Sequence, residues 1–105
     1  MSATATSHTV LLIQFTESEN SRTYTDFDTV NECLDGLVQI FEQKLRLANS
    51  EAPQLVYSLS DLIVYMDKLN DLSCLTYNDQ QKVYVPHGRE WLKAKIYGAL
   101  KRQAK

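Results

Sequence analysis

Thr9-Val10-Leu11-Leu12-Ile13-Gln14 reads as a β-strand, and it is apolar on both of its faces. Successive side chains of a strand point to opposite sides, so Leu11 and Ile13 face one way while Val10 and Leu12 face the other. An antiparallel sheet with one wet face alternates apolar with polar residues instead. Both sides of this strand therefore need a cover, and a single layer of helices supplies only one. Two arrangements answer the remaining need: a second copy packed sheet to sheet about a two-fold axis, or a central strand with the chain's own loops curled over it. Apolar patches on the order of several hundred Å² are uncommon on soluble monomers, which favours the second copy, with Val10 and Leu12 in the contact.

Working outward, Arg22-Thr-Tyr-Thr25 is a second strand, joined to the first through the polar loop Phe15 to Ser21. Thr29 with Glu32 three residues on has the spacing of a capping box. It is followed by Val30, Leu34, Leu37, Phe41 and Leu45 at helical spacing, which predicts a helix of about five turns ending near Asn49. Ser58 with Asp61 opens a shorter helix through Leu59, Leu62, Ile63, Met66 and Leu69, to about Asn70. Leu72 to Tyr77 and Lys82 to Val85 flank the polar Asn78-Asp-Gln-Gln81, the pattern of a second hairpin, with Pro86 ending its second strand. Arg89 to Gln103, carrying Trp91, Leu92, Ile96, Tyr97 and Leu100, is the last helix. The order ββααββα, without β-α-β alternation, predicts an α+β domain. Its four-stranded, mainly antiparallel sheet has three amphipathic helices on one face and a homodimer contact on the other.

The chain has 105 residues, enough for one domain, placed at residues 7–104 behind a flexible tail at residues 1–6. It is 44% hydrophobic and 23% charged, with three glycines and two prolines, which excludes collagen-like, low-complexity and wholly disordered classes. A net charge of −2 argues against a surface built to neutralise phosphates. No apolar run approaches the roughly 20 residues of a membrane helix, and the start of the chain lacks a secretory signal. Cys33 and Cys74 are far apart and outside any metal-binding spacing, so they read as reduced, buried thiols of an intracellular protein.

Catalytic candidates are few. Neither His8 nor His87 has a ligand or nucleophile at metal or triad spacing, and both read as hydrogen-bonded or solvated structural histidines. Asp67, Asp71, Glu17 and Glu19 fall on helix surfaces, helix ends or loops, and no glycine belongs to a phosphate-cradling loop. No catalytic residue, metal or cofactor is expected. Arg89, Lys93, Lys95, Lys101, Arg102 and Lys105 give the C-terminal segment a basic character. A solvated helix back explains them, and Lys93, Lys95, Lys101 and Arg102 are the candidates for the alternative, direct contact with RNA. The two readings differ in salt response, because several phosphate contacts weaken steeply with salt and an apolar protein contact does not. Six tyrosines and Trp91 in a small domain without a catalytic set fit a protein-interaction module. Tyr84, between Val83 and Val85, faces away from the helices if those valines face them. There it is either an anchor for a partner segment or part of the dimer contact.

Ser7-His-Thr-Val-Leu-Leu-Ile-Gln14, Arg22-Thr-Tyr-x-Asp26, Val30-Asn-Glu-Cys33 with Gly36, Asp71-Leu-Ser-Cys-Leu75 with Tyr77, Tyr84-x-Pro86, and Trp91-Leu-Lys-x-Lys-Ile-Tyr97 followed by Arg102-Gln-Ala104 closely resemble the enhancer of rudimentary homolog family. The resemblance spans residues 7 to 104. It implies a small α+β homodimer without catalysis, present in nucleus and cytoplasm. Such a dimer is a scaffold that holds short segments of RNA-binding and RNA-processing proteins, in messenger-RNA processing and elimination, splicing or small-RNA maturation. It places Val10 and Leu12 at the subunit contact. It also implies phosphorylation of a casein-kinase-2-like kind at Thr23 and Thr29, each with an acid three residues on, Asp26 and Glu32; for Thr29 the same spacing is explained by the helix cap. The chain departs from the family pattern in its longer tail, its acidic loop from Phe15 to Ser21, and its early C-terminus.

Overall fold

The computed structural model describes residues 7–51 and 56–103, with backbone only for residues 101–103; the expected tail at residues 1–6 lies outside the described residues. The elements are β1 (Thr9–Gln14), a 3-10 turn (Glu19–Ser21), β2 (Arg22–Phe27), α1 (Val30–Ala48), α2 (Leu59–Lys68), β3 (Asp71–Asn78), β4 (Val83–His87) and α3 (Arg89–Gln103). The strands form one sheet in the order β2-β1-β3-β4, every pair antiparallel. None of the described helices is long and apolar enough to cross a membrane.

The three helices lie on one face of this sheet, and the core fills the space between. Thr9, Leu11 and Ile13 of β1 and Leu72, Cys74 and Thr76 of β3 are buried there. They meet Val30, Cys33, Leu34, Leu37 and Phe41 of α1, Leu62 and Met66 of α2, and Leu92 and Ile96 of α3. Burial pushes the Cys33 thiol up to about 12 and the Cys74 thiol to about 11, so both behave as small apolar side chains. The last helix is less cleanly two-sided than its spacing predicts, since Tyr97, next to buried Ile96, is half exposed.

Caps set the helix starts. Ser58 and Asp61 form the reciprocal box at α2, each side chain bonding the other's backbone N–H. At α1 the box is shifted: Thr29 Oγ1 accepts from the Glu32 N–H at 3.1 Å, but the Glu32 carboxylate takes the Asp28 N–H rather than that of Thr29. Gly36 lets α1 approach the sheet, because a Cβ there would lie 2.5 Å from the Phe27 ring.

Three strands differ from their expected bounds, β3 by one residue at each end, from Asp71 to Asn78 rather than Leu72 to Tyr77. β2 runs to Phe27 rather than Thr25, and β4 runs through Pro86 to His87 instead of stopping before the proline. Pro86 is tolerated because β4 is an edge strand, where a missing N–H need not break a ladder. The α2 helix also ends earlier, at Lys68, with Leu69 extended.

Candidate functional site

The sheet face opposite the helices carries a continuous apolar band. Cross-strand pairing sets its rows: Val10 lies between Asp26 and Leu75, Leu75 is beside Pro86, Leu12 lies between Tyr24 and Ser73, and Tyr77 is beside Tyr84. Val10, Leu12, Leu75 and Tyr77 are half-buried by their neighbours, while Tyr84 is 43% and Tyr24 78% exposed. Tyr77 and Tyr84 rings lie 5.1 Å apart in a tilted pair. The valines flanking Tyr84 are paired with Asn78 and Thr76 of the helix-side row, so Tyr84 does point to the open face.

Each end of the band is polar. At one end His8 bridges the outer strands: Nδ1 is 2.7 Å from the Tyr84 hydroxyl and Nε2 is 2.9 Å from Asp26 Oδ2. Both contacts are satisfied at once by a neutral ring that carries its proton on Nε2, donating to Asp26 while the Tyr84 O–H donates to Nδ1. The hydrogen bond from His8 holds the Asp26 carboxyl below its usual range. At the other end Gln14 Nε2 donates to the carbonyls of Thr16 and Glu17, and Arg22 Nε donates to Gln14 Oε1 at 2.9 Å. These bonds fold the acidic loop against the end of β1.

Of the residues singled out in the sequence, the structure gathers Val10, Leu12 and Tyr84 onto this face. Thr23 is on the edge strand, paired with Ile13 and hence on the helix side, with its hydroxyl 3.4 Å from the Ile13 carbonyl. Thr29 caps α1. Lys93 is tied to Asp67 at 2.8 Å and Glu90 at 3.3 Å, and Lys95 lies over the Trp91 ring. The Lys101 and Arg102 side chains lie outside the described residues. The sequence reading missed Leu75 and Tyr77, which the alternation of β3 would have revealed. It also missed the His8, Asp26 and Tyr84 cluster, whose members are 18 and 76 residues apart and share no local pattern.

These features define a class: a two-layer α+β domain whose helices cover one side of an antiparallel sheet and whose other side presents aliphatic and tyrosine side chains. The chain belongs to the enhancer of rudimentary family. The family profile, Enhancer of rudimentary, matches residues 5–105. The chain is similar to the enhancer of rudimentary homolog of Echinococcus multilocularis, at 41% identity over 93% of this chain and 97% of that protein. It is also similar to the protein enhancer of rudimentary of Drosophila virilis, at 40% over 93% and 94%. The homolog of Dictyostelium discoideum is 37% identical over 93% and 98%.

Proposed function

We propose that this protein is a non-catalytic homodimeric scaffold that pairs through the open sheet face and holds short segments of RNA-binding or RNA-processing proteins. One observation carries the dimer: Val10, Leu12, Leu75, Tyr77 and Tyr84 form an apolar band that the chain's described residues leave partly exposed. A second copy buries such a surface self-complementarily about a two-fold axis. The family resemblance supplies the class of partner, with nuclear and cytoplasmic locations and RNA reached through the partner. The ties of Lys93 to two carboxylates and of Lys95 to Trp91 support this over direct RNA contact. Phosphorylation of Thr29 belongs to the same reading, since a phosphate there meets the positive end of the α1 dipole; at Thr23 it would add charge to an exposed edge strand.

Val10→Arg with Leu12→Arg tests the dimer. Burying unpaired guanidinium groups in the contact costs several kcal/mol, so sedimentation should report a folded monomer, and an affinity purification should lose the partners that need two copies. A double variant that stays dimeric at normal mass would place the contact elsewhere.

A further inference from the structure

On the helix side, residues of α1 and α3 line a cleft of about 290 Å³, just below the roughly 300–1,000 Å³ range of ligand pockets. Its walls are Leu34 and Val38 from α1 and Ile96, Ala99 and Leu100 from α3, and Tyr57 closes one end. Tyr57 is fixed there: its ring meets Phe41 edge to face, and its hydroxyl donates to Glu42. Such a space suits one bulky apolar side chain.

Among the described residues the rim has one sign. Asp35 and Glu42 border the cleft, and neither enters an ion pair among the described residues. Burial and the Glu42 carboxylate together push the Tyr57 hydroxyl up to about 12, so it stays neutral and leaves the Glu42 charge without a counter-charge from this bond. The neighbouring cleft between α2 and α3 is different, because its Lys93 is already matched by Asp67 and Glu90. Asp35 and Glu42 are seven residues apart, two helical turns, which sets them about 10 Å apart along α1. Cations seven residues apart on a partner helix match that spacing.

We infer that the cleft between α1 and α3 is a docking site for a basic amphipathic segment of another protein, with one bulky apolar residue seated against Val38 and Ile96 and flanking lysines or arginines paired with Asp35 and Glu42. This deepens the scaffold reading by naming the chemistry of the captured segment, and it puts capture on the side of the domain away from the dimer face. Charge complementarity at the rim selects this occupant over a second copy of the acidic chain.

The test uses the full-length protein and a labelled, alanine-based helical peptide with a leucine-tryptophan pair between lysines seven residues apart. Fluorescence anisotropy should show saturable binding to the wild type. Replacing the peptide's lysines by glutamates, or its leucine and tryptophan by alanines, should weaken it at least threefold. Asp35→Lys with Glu42→Gln should weaken the lysine peptide at least threefold and improve the glutamate peptide, with dimer mass and circular dichroism unchanged. Absence of binding, a change below threefold in any of these comparisons, or amide shifts confined to the sheet strands would overturn the assignment. The dimer reading is judged apart from this, by the sedimentation of Val10→Arg with Leu12→Arg.

Discussion

On the helix side of the sheet Leu11, Ile13, Leu72 and Cys74 are each no more than 3% exposed, whereas on the other side Val10, Leu12 and Leu75 stay half-buried and Tyr24 and Tyr84 stand open. The same strands supply both sets by simple alternation, so the difference lies in what covers them and not in their composition. Apolar area that three helices remove from water stabilises the fold, at about 25 cal/mol per Å². Equivalent area left open contributes nothing until a partner arrives, and is better read as stored association energy. A substitution should therefore reveal its face by whether its effect depends on protein concentration.

The largest effect belongs to the covered face. Leu37 is fully buried between α1 and the sheet, and Leu37→Ala removes three carbons where the surrounding side chains cannot collapse freely. Chemical denaturation should show a loss of about 2–5 kcal/mol that is the same at every protein concentration. A loss that shrinks as protein concentration rises would break the contrast between the faces, because it would make the core itself dependent on association.

Tyr84→Ala probes the open face, where truncating an interface anchor commonly costs about 2 kcal/mol or more. As a partner anchor, Tyr84 should weaken partner capture on truncation while sedimentation keeps the dimer mass. As part of the dimer contact, its truncation should release monomer, and the loss should vanish at high protein concentration. An unchanged result in both measurements would remove Tyr84 from either role. Its ties to His8 and Tyr77 make the variant informative, since it also frees the His8 ring from one of its two partners.

The pattern of what the sequence disclosed follows the same division. Local rules sufficed wherever an element answers to its own residues: the two-faced β1, the Ser58 and Asp61 cap, and the bounds of α3 from Arg89 to Gln103 are all present as expected. They failed where a neighbour decides. β4 continues through Pro86 because β3 offers it a ladder, and Glu32 reaches Asp28 because the turn before α1 brings that N–H within 3.3 Å. The open-face cluster of His8, Asp26 and Tyr84 and the cleft between α1 and α3 arise only once strands and helices are packed, so no spacing in the chain encodes them.

The smallest effect contrasts the two histidines, which sit on opposite faces. His8, on the open side, bonds a carboxylate; His87, cross-strand from Cys74 on the helix side, has the Thr76 hydroxyl at 2.9 Å from Nε2 and stacks on Trp91 at 3.9 Å. Burial first, then the Lys95 ammonium, hold His87 below its ordinary value of 6.5. The sign follows: the unfolded chain binds the proton more tightly, so stability falls as pH drops below about 6.5, until the folded-state value is passed and the loss is complete. One proton limits the slope to about 1.4 kcal/mol per pH unit, and His87→Gln should remove this part of the slope. NMR titration of the His87 ring gives the direct reading. A midpoint above 6.5 would mean that attraction between the imidazolium and the Trp91 face outweighs burial and Lys95, and would give the covered face a histidine that gains stability in acid.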